Sequence, residues 1–196
     1  MKCSLLPVLA CPTCRDVLDI HPETLDGAEV ITGNLVCQDC ASTFPIVRGV
    51  PRFLSGSLDA ELQATAAAFG YEWIHYSKLT EADKKEFLSW IAPLTPPDFN
   101  DRVVLDAGCG KGRHIYLAAQ FGARTVIGVD LSDAVDAAFR NTRNLENVHV
   151  VQADISNLPF KAVFDLAYSI GVVHHLPVPK SGFRALASYV KPGGRV

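Results

Sequence analysis

Two groups of residues in this sequence of 196 amino acids have types and spacings that could do chemistry. The first is a pair of Cys-x-x-Cys turns, Cys11-Pro12-Thr13-Cys14 and Cys37-Gln38-Asp39-Cys40, separated by 22 residues. Two-residue spacing lets both thiolates of one turn reach a single ion at about 2.3 Å, and two such turns complete a tetrahedron, so the pattern points to zinc. With Cys11, Cys14, Cys37 and Cys40 all bound, no coordination position stays open, and the ion is expected to be structural.

The second group starts at Val103-Val104-Leu105-Asp106-Ala107-Gly108-Cys109-Gly110-Lys111-Gly112, an apolar run that turns through glycines into a helix. Glycines let the chain bend sharply and let a ligand lie against the main chain, while the helix start offers free N–H groups. A dinucleotide fingerprint, Gly-x-Gly-x-x-Gly, would need glycine where Arg113 stands and carries no acid at the position of Asp106. Downstream, Asp130 closes Val126-Ile127-Gly128-Val129, where a carboxylate can accept both protons of a ribose diol, and Asp154 closes Val150-Val151-Gln152-Ala153. His174 and His175 follow another apolar run and stand where a general base would serve.

The elements that must position these groups fall into three stretches. Residues 1–55 read as short strands at Val17–His21, Asn34–Val36 and Phe44–Val47 with turns at Gly27, Gly33 and Gly49. Such a piece is too small to bury much core alone, so a metal staple is expected. Residues 56–100 read as a helical connector. After a linker at Ser55-Gly56-Ser57, Ser57 would cap a helix bearing Leu58, Leu62 and Phe69 on one face; Thr80 with Asp83 would form a capping box for a second helix that turns Phe87, Leu88 and Ile91 inward and stops at Pro93. Phe69 and Trp73, four apart, are expected to pack into the core, the alternative being a lid over a ligand.

Residues 101–196 alternate strands (Val103–Asp106, Thr125–Val129, Val148–Val151, Val163–Ser169) with helices (Gly112–Phe121, Ser132–Asn141). This predicts an α/β, Rossmann-like parallel sheet with ligands at the carboxyl ends of its strands. Val190-Lys191-Pro192-Gly193-Gly194-Arg195 reads as a turn, so the expected sheet is cut off before strand five. It would have order 3-2-1-4 and an unpaired fourth-strand edge open to self-association. Each module is expected to keep its own core. Asp133 and Asp136 read as helix first-turn acids, Asp165 as a structural partner, and Lys111 and Arg113 as solvated.

Composition narrows the classes. Apolar residues at 48% and charged residues at 20% provide a buried core and argue against a disordered chain. The net charge of −3 offers no global attraction to nucleic acid, and no apolar run approaches the roughly 18 residues of a membrane span. Residues 1–55 hold four basic and six acidic side chains, residues 56–100 three and seven, residues 101–196 eleven and eight, so the N-terminal part is no phosphate clamp. Val8-Leu9-Ala10-Cys11 is similar to a lipoprotein cleavage site, but the apolar stretch before it is short and holds Pro7; a cytoplasmic location is expected.

Leu5-Leu6-Pro7-Val8-Leu9-Ala10-Cys11-Pro12-Thr13-Cys14, Leu35-Val36-Cys37 and Phe44-Pro45-Ile46-Val47-Arg48-Gly49-Val50-Pro51 together resemble the zinc-binding domain of the tRNA-methyltransferase activator family. The spacing Asp-x-Gly-x-Gly-x-Gly, the two strand-end acids and Phe164–Leu176 resemble the ordered motifs of Rossmann-like S-adenosylmethionine-dependent methyltransferases. That resemblance implies S-adenosylmethionine as cofactor, held by Asp106, Gly108, Gly110, Gly112, Asp130, Leu131, Asp154, Ile155 and Ser169, and methyl transfer in which His174 or His175 would act as base. The chain has neither an Asn/Asp-Pro-Pro-Tyr/Phe segment after its fourth strand nor a Pro-Cys pair, which disfavours adenine-amino, glutamine-amino and cytosine-carbon acceptors. The acceptor expected is a small molecule, lipid or saccharide. One alternative is an RNA methyltransferase that uses the zinc domain for recognition; another is a non-catalytic cofactor-binding or partner-docking module.

Overall fold

A computed structural model describes residues 1–54 and 60–196; the linker, the Ser57 cap and Leu58 lie outside the described residues, as does the side chain of Leu62. After a 3₁₀ turn at Cys3–Val8 come β1 (Leu18–Asp26), β2 (Glu29–Cys37), β3 (Thr43–Val47) and β4 (Val50–Pro51), an antiparallel sheet in order 1-2-3-4. The first hairpin is longer than the sequence pattern suggests, because polar β1 faces water along most of its length and only β2 shows a regular buried face. Gly27 turns it with φ +61°, a conformation that favours glycine.

Two helices follow, α1 (Ala60–His75) and α2 (Glu81–Trp90). The capping box at α2 is present: Asp83 Oδ2 accepts from the Thr80 backbone N–H at 2.6 Å and from its hydroxyl at 3.1 Å. Phe87 and Ile91 are buried as expected, and Leu88 is half-buried.

The second sheet is built from β5 (Val103–Ala107), β6 (Thr125–Asp130), β7 (Val148–Gln152), β8 (Phe164–Tyr168) and β9 (Val190–Arg195), with α3 (Arg113–Gln120), α4 (Val135–Thr142) and α5 (Pro179–Ser188) between them. Its order is β7-β6-β5-β8-β9, all parallel, and every residue of β5 and β7 is buried, as strands covered on both faces require. The expected four-strand sheet with β8 as its edge is therefore corrected. Val190–Arg195 pairs with β8 through Phe164↔Val190 and Leu166↔Arg195, and the self-association argued from a bare β8 edge loses its premise. Composition misled here because Pro192-Gly193-Gly194 looks like a turn. An irregular register absorbs it, and Lys191 ties the strand down with Nζ 2.9 Å from Asp165 Oδ1. Asp165 also accepts from the Val103 N–H at 2.8 Å, the structural role expected of it.

The expectation of separate cores is also corrected. One apolar cluster runs from Leu5 and Leu9 in and just after the first 3₁₀ turn and Leu35 and Phe44 in the first sheet to Val151, Leu158, Phe160 and Phe164 in the second half. The main chains join as well. Leu9 bridges Phe160, Arg52 bridges the edge strand β7 at Gln152, and the Phe53 N–H donates to the Gln152 carbonyl at 2.7 Å. Along this seam Asp136, expected as a helix first-turn acid, is buried against Arg48 and Arg52, which reach it from the first sheet. Among the described residues no helix is long and apolar enough to cross a membrane.

Candidate functional site

A cavity of about 470 Å³ opens at the carboxyl ends of β5, β6 and β8. Gly108, Cys109, Gly110 and Lys111 form one wall, Asp130 with Leu131 a second, and Asp154 with Ile155 a third. The glycine turn needs its glycines: Gly108 and Gly110 have φ +97° and +50°, a Cβ on Gly108 would overlap Val172, and one on Gly110 would lie 3.1 Å from the Trp73 indole nitrogen. Gly112 does not line the cavity. It caps α3 in a left-handed conformation, where a Cβ would stand 3.0 Å from Ala138 of α4.

Asp130 is held in one orientation. Its Oδ2 accepts from the Gly110 N–H at 2.8 Å, and its Oδ1 from the Ser132 N–H at 2.9 Å and hydroxyl at 2.6 Å. Asp154 caps the 3₁₀ turn Ile155–Asn157 by accepting from the Ser156 N–H at 2.8 Å, and it still lines the cavity. Ser169 is not on the cavity wall; its hydroxyl donates to the Ala107 carbonyl at 2.7 Å, and Ile170, Gly171 and Val172 form the wall instead. His175 lines the cavity while exposed His174 does not, although their rings lie 4.0 Å apart.

Phe69 and Trp73 of α1 close the cavity from above, with the Phe69 ring 5.1 Å from that of His175. Lys111 and Arg113, expected in solvent, belong to this closure. Buried Lys111 donates to the Lys78 carbonyl at 2.8 Å, and Arg113 pairs with Glu86 at 3.1 Å while lying over the rings of Trp73 and Trp90 at 5.4 and 5.2 Å. The expected packing of Phe69 and Trp73 into the core is thus corrected in favour of its alternative, since both line the cavity; four-residue spacing reads alike for a helix face toward a cavity and one toward a core.

Asp106 lies behind the glycine turn, fully buried, with no hydrogen-bond partner for either oxygen. Its neighbours are His114, whose Nδ1 is 3.9 Å away, and Tyr168, paired with it across β5 and β8. The His114 Nε2 and the Tyr168 hydroxyl are likewise unpartnered. Burial, reinforced by the charge of Asp130, pushes the Asp106 carboxyl well up, and burial pushes the His114 imidazole down to about 3. His114 also lines the cavity, a role the sequence reading missed.

The four cysteines stand apart from this cavity. Their sulfurs all lie within 4.8 Å of one another, with Cys11–Cys40 at 3.6 Å and Cys14–Cys37 at 3.3 Å. Sulfurs bound at about 2.3 Å around one tetrahedral ion would be roughly 3.8 Å apart, so the cluster fits a four-thiolate site.

Comparison with known proteins divides the chain at the same place. Residues 105–196 match the family described as a methyltransferase domain, and residues 2–49 match the Trm112p-like proteins. A tRNA U34 carboxymethyltransferase from Actinobacillus succinogenes is 32% identical over 92% of this chain and 56% of its own length. The enzyme of that name from Pseudoalteromonas translucida is 35% identical over 48% of this chain and 30% of its own. The chain thus spans about half the length, or less, of the curated relatives it matches. The solved complex of the Haloferax volcanii Trm112 methyltransferase activator superposes with a TM-score of 0.50 at 25% identity, covering 70% of this chain and 57% of that one. These matches overturn the expected small-molecule, lipid or saccharide acceptor: the curated relatives are named for transfer RNA.

Proposed function

We propose that this chain, which joins a Trm112p-like domain to a class I S-adenosylmethionine-dependent methyltransferase domain, is an alkyltransferase that modifies transfer RNA. The observation that carries the reading is the convergence of the Gly108–Gly110 turn, Asp130 and Asp154 on one cavity, combined with relatives named for tRNA. Bound S-adenosylmethionine supplies an electrophilic carbon on a sulfonium. Asp130, locked by Gly110 and Ser132, would accept the ribose hydroxyls; Leu131 and Ile155 would flank the adenine, with Asp154 beside it. The aromatic closure of Phe69 and Trp73 would exclude water and favour a cationic ligand. His175, on the wall, is better placed than His174 to take a proton from an acceptor.

In the N-terminal module Cys11, Cys14, Cys37 and Cys40 would hold one zinc ion. With four protein ligands it would act as a staple, leaving chemistry to the cavity. We place the working protein in the cytoplasm, where its tRNA substrate is.

The test is incubation with tRNA and S-adenosylmethionine, followed by mass analysis of the nucleosides, which also identifies the transferred group. Asp130→Ala should weaken cofactor binding by about 1.5–3 kcal/mol through loss of charge-assisted hydrogen bonds. Unmodified tRNA together with an indifferent Asp130→Ala variant would refute the reading.

A further inference from the structure

The N-terminal module carries four lysine and arginine side chains, Lys2, Arg15, Arg48 and Arg52, and each of them is bonded to the second half of the chain. Lys2 donates to the carbonyls of Leu145 and Val148 at 2.7 and 3.0 Å, and Arg15 to the Leu158 carbonyl at 2.8 Å and Asn157 Oδ1 at 2.7 Å. Arg48 and Arg52 pair with Asp136. Arg15 and Arg48 are exposed along part of their length, but their guanidinium groups are engaged by Asn157 and Asp136. The other exposed charges of this module are acids, among them Asp16, Asp19, Glu23 and Asp39. Such a surface repels a phosphate backbone.

The opposite balance holds past β8. Residues 166–196 contain Lys180, Arg184, Lys191 and Arg195 and no acidic residue. Lys191 and Arg195 are paired with Asp165 and Asp98, whereas Lys180 and Arg184 are exposed and form no ion pair among the described residues. Both lie on α5, one helical turn apart, with Phe183 beside them at 52% exposure. The helix is fixed to the reaction cavity: Leu176 lines that cavity and packs so closely on Gly182 of α5 that a Cβ there would overlap it.

From this we infer that the RNA-contacting surface is α5 at the cavity rim, with Lys180 and Arg184 on backbone phosphates and Phe183 against a base, and that the cysteine module serves as a docked brace without RNA contacts. The inference rests on the tRNA reading above. Cations on phosphates and an aromatic against a base form the combination that holds single-stranded loops. Its position four residues past the cavity wall would deliver one nucleotide inward while the neighbouring backbone stays outside.

The experiment measures binding of a tRNA transcript by the full chain and by Lys180→Glu/Arg184→Glu, across a series of salt concentrations. The double variant should lose tenfold or more in affinity, and the slope of log affinity against log salt should fall by about two. Phe183→Ala should weaken binding with an unchanged salt slope, and S-adenosylmethionine binding should be equal in all forms, showing that the fold is kept. Wild-type affinity and slope in the double variant would overturn the α5 assignment and leave the tRNA reading standing. A wild-type chain that ignores tRNA at low salt would overturn both.

Discussion

The seam between the two halves and the floor of the cavity are both buried, and they treat polar groups in opposite ways. At the seam every buried charge has a partner: Arg52 meets Gln152 Oε1 at 2.7 Å and Asp136 at 2.5 Å, and the Asp136 carboxylate takes Arg48 as well. On the floor the Asp106 oxygens, the His114 Nε2 and the Tyr168 hydroxyl have no partner, and these are the only such buried side-chain atoms among the described residues. Orphaned buried polar groups are costly and rare, so their concentration at one place marks a region kept for function, whereas the seam is complete as it stands. The seam holds the molecule together; the floor lowers its stability in exchange for a polar lining behind the glycine turn.

The largest effect expected from breaking this contrast is at the seam. Asp136→Ala leaves the Arg52 guanidinium, 8% exposed, with Gln152, a weak contact to Val47 and the exposed carboxylate of Asp133 at 3.7 Å, and it releases Arg48. Removing one partner of a buried pair typically costs about 3–5 kcal/mol; because Gln152 remains, about 3 kcal/mol is expected here. Since the apolar core is shared, chemical denaturation should show one transition moved to lower denaturant by probes in both halves. An early transition confined to the cysteine module would show that the seam is no more than a contact between independent domains.

Acidity gives a smaller effect on the same side of the comparison. His149 on β7 is 6% exposed, and burial, with Lys2 next in importance, pushes its imidazole down to about 4. A depressed folded-state value means that the unfolded chain takes up the proton first. Stability is therefore full above about pH 6.5 and falls as the pH drops from there toward 4, by on the order of 3 kcal/mol at most. His114 on the floor acts in the same direction, and Asp106, whose value is raised, acts against both. The useful measurement is thus a difference: His149→Gln should flatten the loss of melting temperature between pH 6.5 and 4, while His114→Gln should remove a separate share of it.

How much of this was legible depends on what each residue's partner is. The cysteine cluster and the glycine turn after β5 were readable because their residues sit at fixed short spacings, and the capping box Thr80–Asp83 because both halves lie three residues apart. Asp136 is the helix first-turn acid the sequence suggests, but its pairing was not legible, because its partners, Arg48 and Arg52, lie 88 and 84 residues away and no local pattern joins such an acid to a neighbouring module. Lys111 and Arg113 were placed in water since the expected cofactor has no phosphate for them; their partners, Glu86 and two tryptophans on α1 and α2 and Lys78 in the connection between these helices, come from a segment whose packing the sequence does not encode locally. β9 was missed because Pro-Gly-Gly obscured a strand that tertiary pairing selects.

The smallest effect tests the floor, and its sign differs from those at the seam. The Tyr168 ring is well packed, 5.5 Å from Phe87, so Tyr168→Phe removes one oxygen without opening a large void. The hydroxyl is buried beside Asp106 with no hydrogen-bond partner, and burial pushes its ionisation well up, so it remains a neutral, unsatisfied group. Deleting an unpaired buried hydroxyl recovers its desolvation cost, and the variant should be more stable by about 1 kcal/mol, seen as a melting temperature a few degrees higher. A matching removal of a paired group, Gln152→Leu at the seam, should move the melting temperature the other way. If Tyr168→Phe were instead destabilising, the hydroxyl would have to be hydrogen-bonded through ordered water, and the floor would be a completed network like the seam. If it stabilises the chain and at the same time weakens S-adenosylmethionine binding, the group left unpaired in the free protein is one that the cofactor completes, directly or through Asp106.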